Sequence, residues 1–190
     1  MILPIVAYGD PVLKKQGADI TPDYPELEQL IDNMYLTMYN ASGVGLAAPQ
    51  IGKSIRLFIV DGAPFAEDPE TEEEKALGEF KEVFINPRIT KEEGKEWKFN
   101  EGCLSIPKIR EDVSRKSVVH ITYFDRNFKE HTKTFEGIAA RIIQHEYDHI
   151  EGKLFVDRIS PLRKRLLQSK LNDISKGRVE VNYRMRFPNK

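Results

Sequence analysis

Cysteine is nearly absent: Cys103 is the only one in 190 residues. No internal disulfide can form, which points to a reducing compartment. The lone thiol is left either as a small buried hydrophobe or as a ligand or reactive group. Neither sign of charge is in excess. With 29 basic and 30 acidic residues the formal net charge is −1, which argues against a general polyanion binder and gives no reason to expect a specific nucleic acid partner. No apolar run is long enough to span a bilayer. The opening Met1-Ile2-Leu3-Pro4-Ile5-Val6 has no basic residue ahead of it and is interrupted by Pro4, so it does not read as a signal peptide. A cytoplasmic location is expected. Histidine is scarce too: there are four, and two of them fall within one five-residue stretch.

What is present is a globular profile, 40% hydrophobic and 31% charged, over a length that suits one domain spanning 1–190. Three helices are expected. The first starts near Pro25, carries Leu27, Leu30, Ile31, Met34 and Met38 on one face, and ends at Gly43. The second runs from about Gly137 to Glu151, and the third opens with Ser160 as N-cap and stops at Gly177. Strands are expected at Ile55–Val60, Lys81–Ile85, Lys95–Phe99, Ser117–Phe124 and Phe128–Phe135, the last two forming a hairpin around Asp125-Arg126-Asn127. Val179, Val181, Tyr183, Met185 and Phe187 alternate with polar residues, the pattern of a C-terminal strand with one buried face. Strands gathered in hairpins indicate an α+β fold with antiparallel β-sheets packed around the second helix. Glu67 to Glu74, with six acidic residues in eight positions, reads as a solvated, mobile surface insertion.

The second helix carries His145-Glu146-Tyr147-Asp148-His149, an H-E-x-x-H. Residues four apart share a helix face, about 5–6 Å apart at Cβ, so two imidazoles can hold one metal with Glu146 beside them. Ile138 and Ile142 precede His145 at helical spacing, which turns both histidines towards the core. A catalytic metal site usually takes three protein ligands. The extended motif that supplies a third His from the same segment has Phe155 in its place here. His120 and His131 fall in the expected hairpin and read as ordinary strand residues; Glu151 is too close to swing back, and Glu180 belongs to the tail. Cys103, within Glu101-Gly102-Cys103-Leu104-Ser105-Ile106-Pro107, is the better candidate, since a thiolate is a strong metal ligand. The rival reading makes Cys103 a nucleophile with His145 as its base, but that uses only one of the two histidines.

Gly43-Val44-Gly45-Leu46-Ala47-Ala48-Pro49-Gln50-Ile51-Gly52 joins the first helix to the Ile55 strand. Its glycines permit close backbone approach to a ligand, and Gln50 offers an amide donor; a tight helix-to-strand connection is the plainer reading. Ala47 to Ser54 nearly matches a phosphate loop, but a helix precedes it and a β-rich run follows, the reverse of the order that motif requires.

Three segments together, Gly43 to Gln50, Glu101 to Ser105 and Gln144 to His149, resemble the peptide deformylase family in pattern and order, as does the opening Leu3 to Leu13. The resemblance implies a hydrolase that removes the formyl group from N-terminal formyl-methionine of new polypeptides. It implies one divalent metal, ferrous iron, with zinc, nickel or cobalt able to replace it, held by Cys103, His145 and His149. By similarity Val44, Gly45, Ile138, Ile142 and His145 would line the methionine pocket, and the main chain around Val44 and Gly45 would pair with an extended peptide. Arg110 would meet the distal peptide. Glu146 would move protons, with the Gln50 amide and the Leu104 N–H facing the developing oxyanion. Enterobacterial relatives end in a long helix that docks on the ribosome; here a strand follows Gly177, so Arg163, Lys164, Arg165 and Lys170 read as a solvated face, with any ribosome contact transient. A monomer without membrane attachment is expected. A metallo-endopeptidase using the same histidine pair and a structural metal site are the alternatives.

Overall fold

The stripe Leu27, Leu30, Ile31, Met34 and Met38 is buried along α1 (Leu27–Asn40), as its spacing predicts. The computed structural model describes residues 1–190. In chain order it contains β1 (Ile5–Val6), α1, β2 (Gly45–Ala47), β3 (Leu57–Asp61), α2 (Ala63–Ala66), α3 (Glu72–Ala76), β4 (Lys81–Cys103), β5 (Ile106–Phe124), β6 (Glu130–Glu136), α4 (Gly137–Ile150), α5 (Pro161–Ser175) and β7 (Met185–Arg186). Strands β2-β3-β4-β5-β6 form one sheet, antiparallel throughout. Helix α4 packs on β2, β3 and β5. Its Ile138, Ile142, Ile143 and Ile150 are buried in a cluster with Phe58, Phe84, Val119 and Ile121 of the sheet. Ser160 caps α5 as expected, accepting from the Arg163 N–H at 3.1 Å.

Four expectations change. The first helix is closed not by Gly43 but by Ala41 and then Ser42, which takes the left-handed conformation (φ 57°). The strands expected at Lys81–Ile85 and Lys95–Phe99 are two parts of one 23-residue strand, β4. Its register against β5 shifts at 85/88, 89/91 and 93/96, so Asn86-Pro87 and Glu93-Gly94 are irregularities within a strand. The acidic run is only half loop: Glu72, Glu73 and Glu74 form the first turn of α3, capped by Thr71, where their charge suits the positive end of the helix dipole. The tail strand shrinks to Met185–Arg186 and pairs parallel with β1, so the second, small sheet is not antiparallel. The alternation of half-buried and exposed residues nevertheless runs from Val179 to Phe187. The side chains obey the strand pattern, while the neighbour, β1, is only two residues long and offers no more ladder to pair with.

One buried ion network binds the sheet to α4. Arg115 of β5 donates to Glu101 of β4 at 2.8 and 3.0 Å and to Asp148 of α4 at 2.8 Å. Arg141 of α4 also donates to Glu101 at 2.8 Å, and Arg158 grips Asp148 at 2.7 and 2.6 Å. Burial by itself would raise both carboxyl pKa values. For Glu101 the hydrogen bonds from His145 and Arg115 outweigh burial, and for Asp148 those of Arg158 and Arg115 do, so both lie below the usual carboxylate range. Their contribution to stability is therefore complete above the unfolded-state values, about 4, and is lost as pH falls below them. Replacing Arg115 by Met is expected to cost roughly 3 kcal/mol at pH 7, the low end for a broken buried pair because Arg141 and Arg158 remain. Urea unfolding should show this deficit, and it should shrink when both proteins are compared at pH 3.5.

Candidate metal centre

Helix α4 turns His145 and His149 to one side, with ring centroids 5.2 Å apart. Opposite them β4 ends at Cys103, and Leu104-Ser105 reverses the chain so that Cys103 pairs with Ile106 at the start of β5. This turn carries the sulfur over the helix. Cys103 Sγ lies 3.5 Å from His149 Nε2, and one ligand atom from each of Cys103, His145 and His149 falls within 4.8 Å of the others. The sequence-predicted triad is thus brought together.

The donor set fits a divalent metal. One soft sulfur and two imidazoles suit first-row ions, and three protein donors rather than four is the count of a catalytic site. Glu101 Oε1 sits 2.9 Å from His145 Nδ1, orienting the ring as carboxylates orient metal-bound histidines. Burial and then the neighbouring His145 push His149 down to about 3, so it is neutral, as a ligand must be. Burial also opposes charge on His145, but its hydrogen bonds to Cys103 and Glu101 outweigh it and raise its pKa. A cation entering among these atoms would compete with that proton and release it.

Glu146 faces the same space. It is 5% exposed, and its Oε2 is buried without a hydrogen-bond partner. Burial pushes its carboxyl up to about 7 against the pull of His145. Its other oxygen lies against Gly45 so closely that a Cβ there would come within 2.5 Å, so the backbone approach requires glycine. Gln50 sits in a single 3-10 turn, Ala48–Ile51. Its Oε1 accepts from the Ala47 N–H at 3.0 Å, which commits its amide NH₂ towards Cys103 Sγ (3.5 Å) and Ser105 Oγ (3.3 Å). That single turn leads on to β3, so the Ala47–Ser54 segment opens no helix of the kind a phosphate loop needs.

Val44, Gly45, Gln50, Cys103, Leu104, Arg110, Ile142, His145 and Glu146 all line one cavity of about 460 Å³. Ile138 does not. It lies one helical turn before Ile142 and is buried in the core cluster beneath it. His149 is fully buried and also outside the lining, with its Nε2 3.5 Å from Cys103 Sγ. His120 and His131 bond within the β5–β6 hairpin, to Thr134 and Asp125, as ordinary strand residues. Phe65 of α2, Phe99, Arg141 and the tail residues Val181, Asn182 and Tyr183 also line the cavity. Nothing in the pattern of the sequence marks Phe65, and the alternation of the tail marks a buried face without saying what that face meets. Glu101 had a signal: two residues before Cys103 on a strand, it shares the face that meets α4.

The polypeptide deformylase family model matches residues 2–165. A peptide deformylase of Christiangramia forsetii is 61% identical over 191 residues, covering 100% of this chain and 97% of that protein. One of Flavobacterium johnsoniae is 60% identical, covering 98% and 96%. The crystal structure of a Legionella pneumophila peptide deformylase superimposes with a TM-score of 0.78 at 36% identity, covering 94% of this chain and 98% of that one. A Plasmodium falciparum deformylase does so with 0.78 at 36%, covering 91% and 95%. No helix here is long and apolar enough to cross a membrane. A chain matched from end to end by deformylases, whose cysteine and paired histidines bring their donor atoms within 4.8 Å of one another, belongs to the polypeptide deformylase family, the metalloenzymes that remove the N-formyl group from newly made polypeptides.

Proposed function

We propose that Cys103, His145 and His149 hold one divalent cation, with ferrous iron as the resident metal and zinc, nickel or cobalt able to take its place. The convergence of their donor atoms within 4.8 Å is the observation that carries this reading. A bound cation of this kind polarises a carbonyl and brings the pKa of water from 15.7 towards about 7. The chain's own residues do the rest. Glu146 takes the proton of the attacking water as oxygen bonds to the formyl carbon, and returns it to the amine nitrogen as the C–N bond breaks and formate leaves. The Gln50 amide and the Leu104 N–H donate to the oxygen that becomes negative; the Ala47 contact supports the first role by holding the amide in the donating sense.

The methionine side chain enters the cavity beside Val44, Gly45, Ile142 and His145, with Ile138 packed behind Ile142. Strand β2 lies at the edge of its sheet, so its outer side is available to pair with an extended peptide. Arg110 meets the peptide farther out; its guanidinium is now bonded to Asn100. All 190 residues act as one domain. The chain works as a cytoplasmic monomer and meets nascent peptides in transient ribosome contact. Arg163 and Lys164 of α5 are already paired with Glu111 and Asp157, which supports reading that helix as a solvated face.

The test is anaerobic purification, metal analysis and formate release from formyl-Met-Ala. Glu146→Ala should keep one metal per chain and lose nearly all turnover; substantial remaining activity removes Glu146 from proton transfer. Cys103→Ser should strip or greatly weaken the metal, and an unchanged content by elemental analysis rejects the thiolate ligand. Gln50→Ala should lower kcat by about 10²–10³ and change KM much less, whereas a pure KM effect makes Gln50 a substrate-binding residue.

A further inference from the structure

The family match ends at residue 165, yet the chain beyond α5 returns to the cavity. The tail leaves α5 at Ser175 and crosses beside the Leu104-Ser105 turn before pairing with β1. The Arg184 carbonyl accepts from the Ile5 N–H at 3.0 Å and the Arg186 carbonyl from the Ala7 N–H at 2.9 Å. This pairing sets the height of Tyr183 above the turn. Its hydroxyl donates to the Leu104 carbonyl at 2.7 Å, while its ring packs with Leu104 and Met185 against the cluster built on α1. From the other side the Tyr8 N–H donates to the Ser105 carbonyl at 2.9 Å. Both carbonyls of the two-residue turn are therefore held from outside the hairpin, one by β1's continuation and one by the tail.

A two-residue turn has few ways to rotate without moving its amides. The peptide planes that carry the Leu104 N–H and the Leu104 carbonyl flank one Cα and are related only by φ and ψ of that residue, so holding the carbonyl's plane restricts the plane that aims the N–H. The tail's side chain is also half-buried and in the wall of the cavity, so loosening it exposes the turn to water.

We propose that Tyr183 is a positioning residue for deformylation: its hydroxyl, held on the Leu104 carbonyl by the β1–β7 pairing, fixes the turn that aims the Leu104 N–H at the reacting oxygen. The proposal rests on the reading of Leu104 and Gln50 as the oxyanion donors. It assigns to the C-terminal tail a part in turnover rather than in stability alone.

The variant is Tyr183→Phe, which removes the hydroxyl and keeps the ring. Steady-state formate release from formyl-Met-Ala, metal content and thermal midpoint are measured on the full chain beside Gln50→Ala. One lost hydrogen bond at an aiming residue should lower kcat about three- to tenfold, with KM within about twofold and metal content unchanged. A wild-type kcat for Tyr183→Phe, with Gln50→Ala impaired, overturns this proposal and leaves the oxyanion reading standing. A fall in kcat matched by equal loss of metal overturns it too, because the tail would then be supporting Cys103. An unimpaired Gln50→Ala overturns the oxyanion reading, and this proposal with it, whatever Tyr183→Phe does.

Discussion

Arg115 reaches from β5 to Glu101 on β4 and to Asp148 on α4, and that bridge ties the strand that carries the cysteine to the helix that carries the histidines. The cysteine and the histidines lie on different elements, a strand end and a helix, which no local interaction holds in register. The Ile-rich face of α4 supplies adhesion to the sheet, but apolar packing is non-directional and tolerates sliding by a fraction of a turn. Buried charges do not tolerate it, because a displaced guanidinium leaves carboxylates unpaired in a low-dielectric interior. Glu101 extends the constraint to the chemistry, since the carboxylate gripped by Arg115 is the one that orients His145.

The helix and its histidine pair are the most legible part of the sequence. An i, i+4 histidine pair continuing an apolar stripe fixes its own geometry, because helix periodicity is local. The third candidate donor is not local: Cys103 stands forty-odd residues away, and the ligand strength of a thiolate, elimination of Phe155, His120, His131, Glu151 and Glu180, and the family likeness point to it. The strands were partly legible. Irregularities inside β4 carry turn residues such as Asn86-Pro87 and Gly94, and a bulge and a loop use the same residues for the same backbone reason. What the sequence hid were contacts set by tertiary approach. Phe65 enters the cavity from a short helix without periodicity, and Tyr183 sits in a tail whose alternation predicted a buried face but not what that face covers.

Gly45 and Glu146 illustrate how one residue serves two requirements. Strand β2 comes close to α4 beside the cavity, and the Glu146 carboxylate stays buried there. The absence of a side chain at position 45 lets backbone and carboxylate close on each other.

The pairing of Ile5 with Met185 has a kinetic side. Closing a loop of that length costs entropy that grows only logarithmically, so the contact is affordable at equilibrium, but that entropy is lost before the contact rewards it, which makes so distant a pairing slow. The five-stranded sheet is assembled from hairpins and neighbouring segments and does not wait for it. A nearly folded molecule with every donor atom in place can therefore still have an unclamped Leu104-Ser105 turn, and burial of the core and competence of the site become separate events in time.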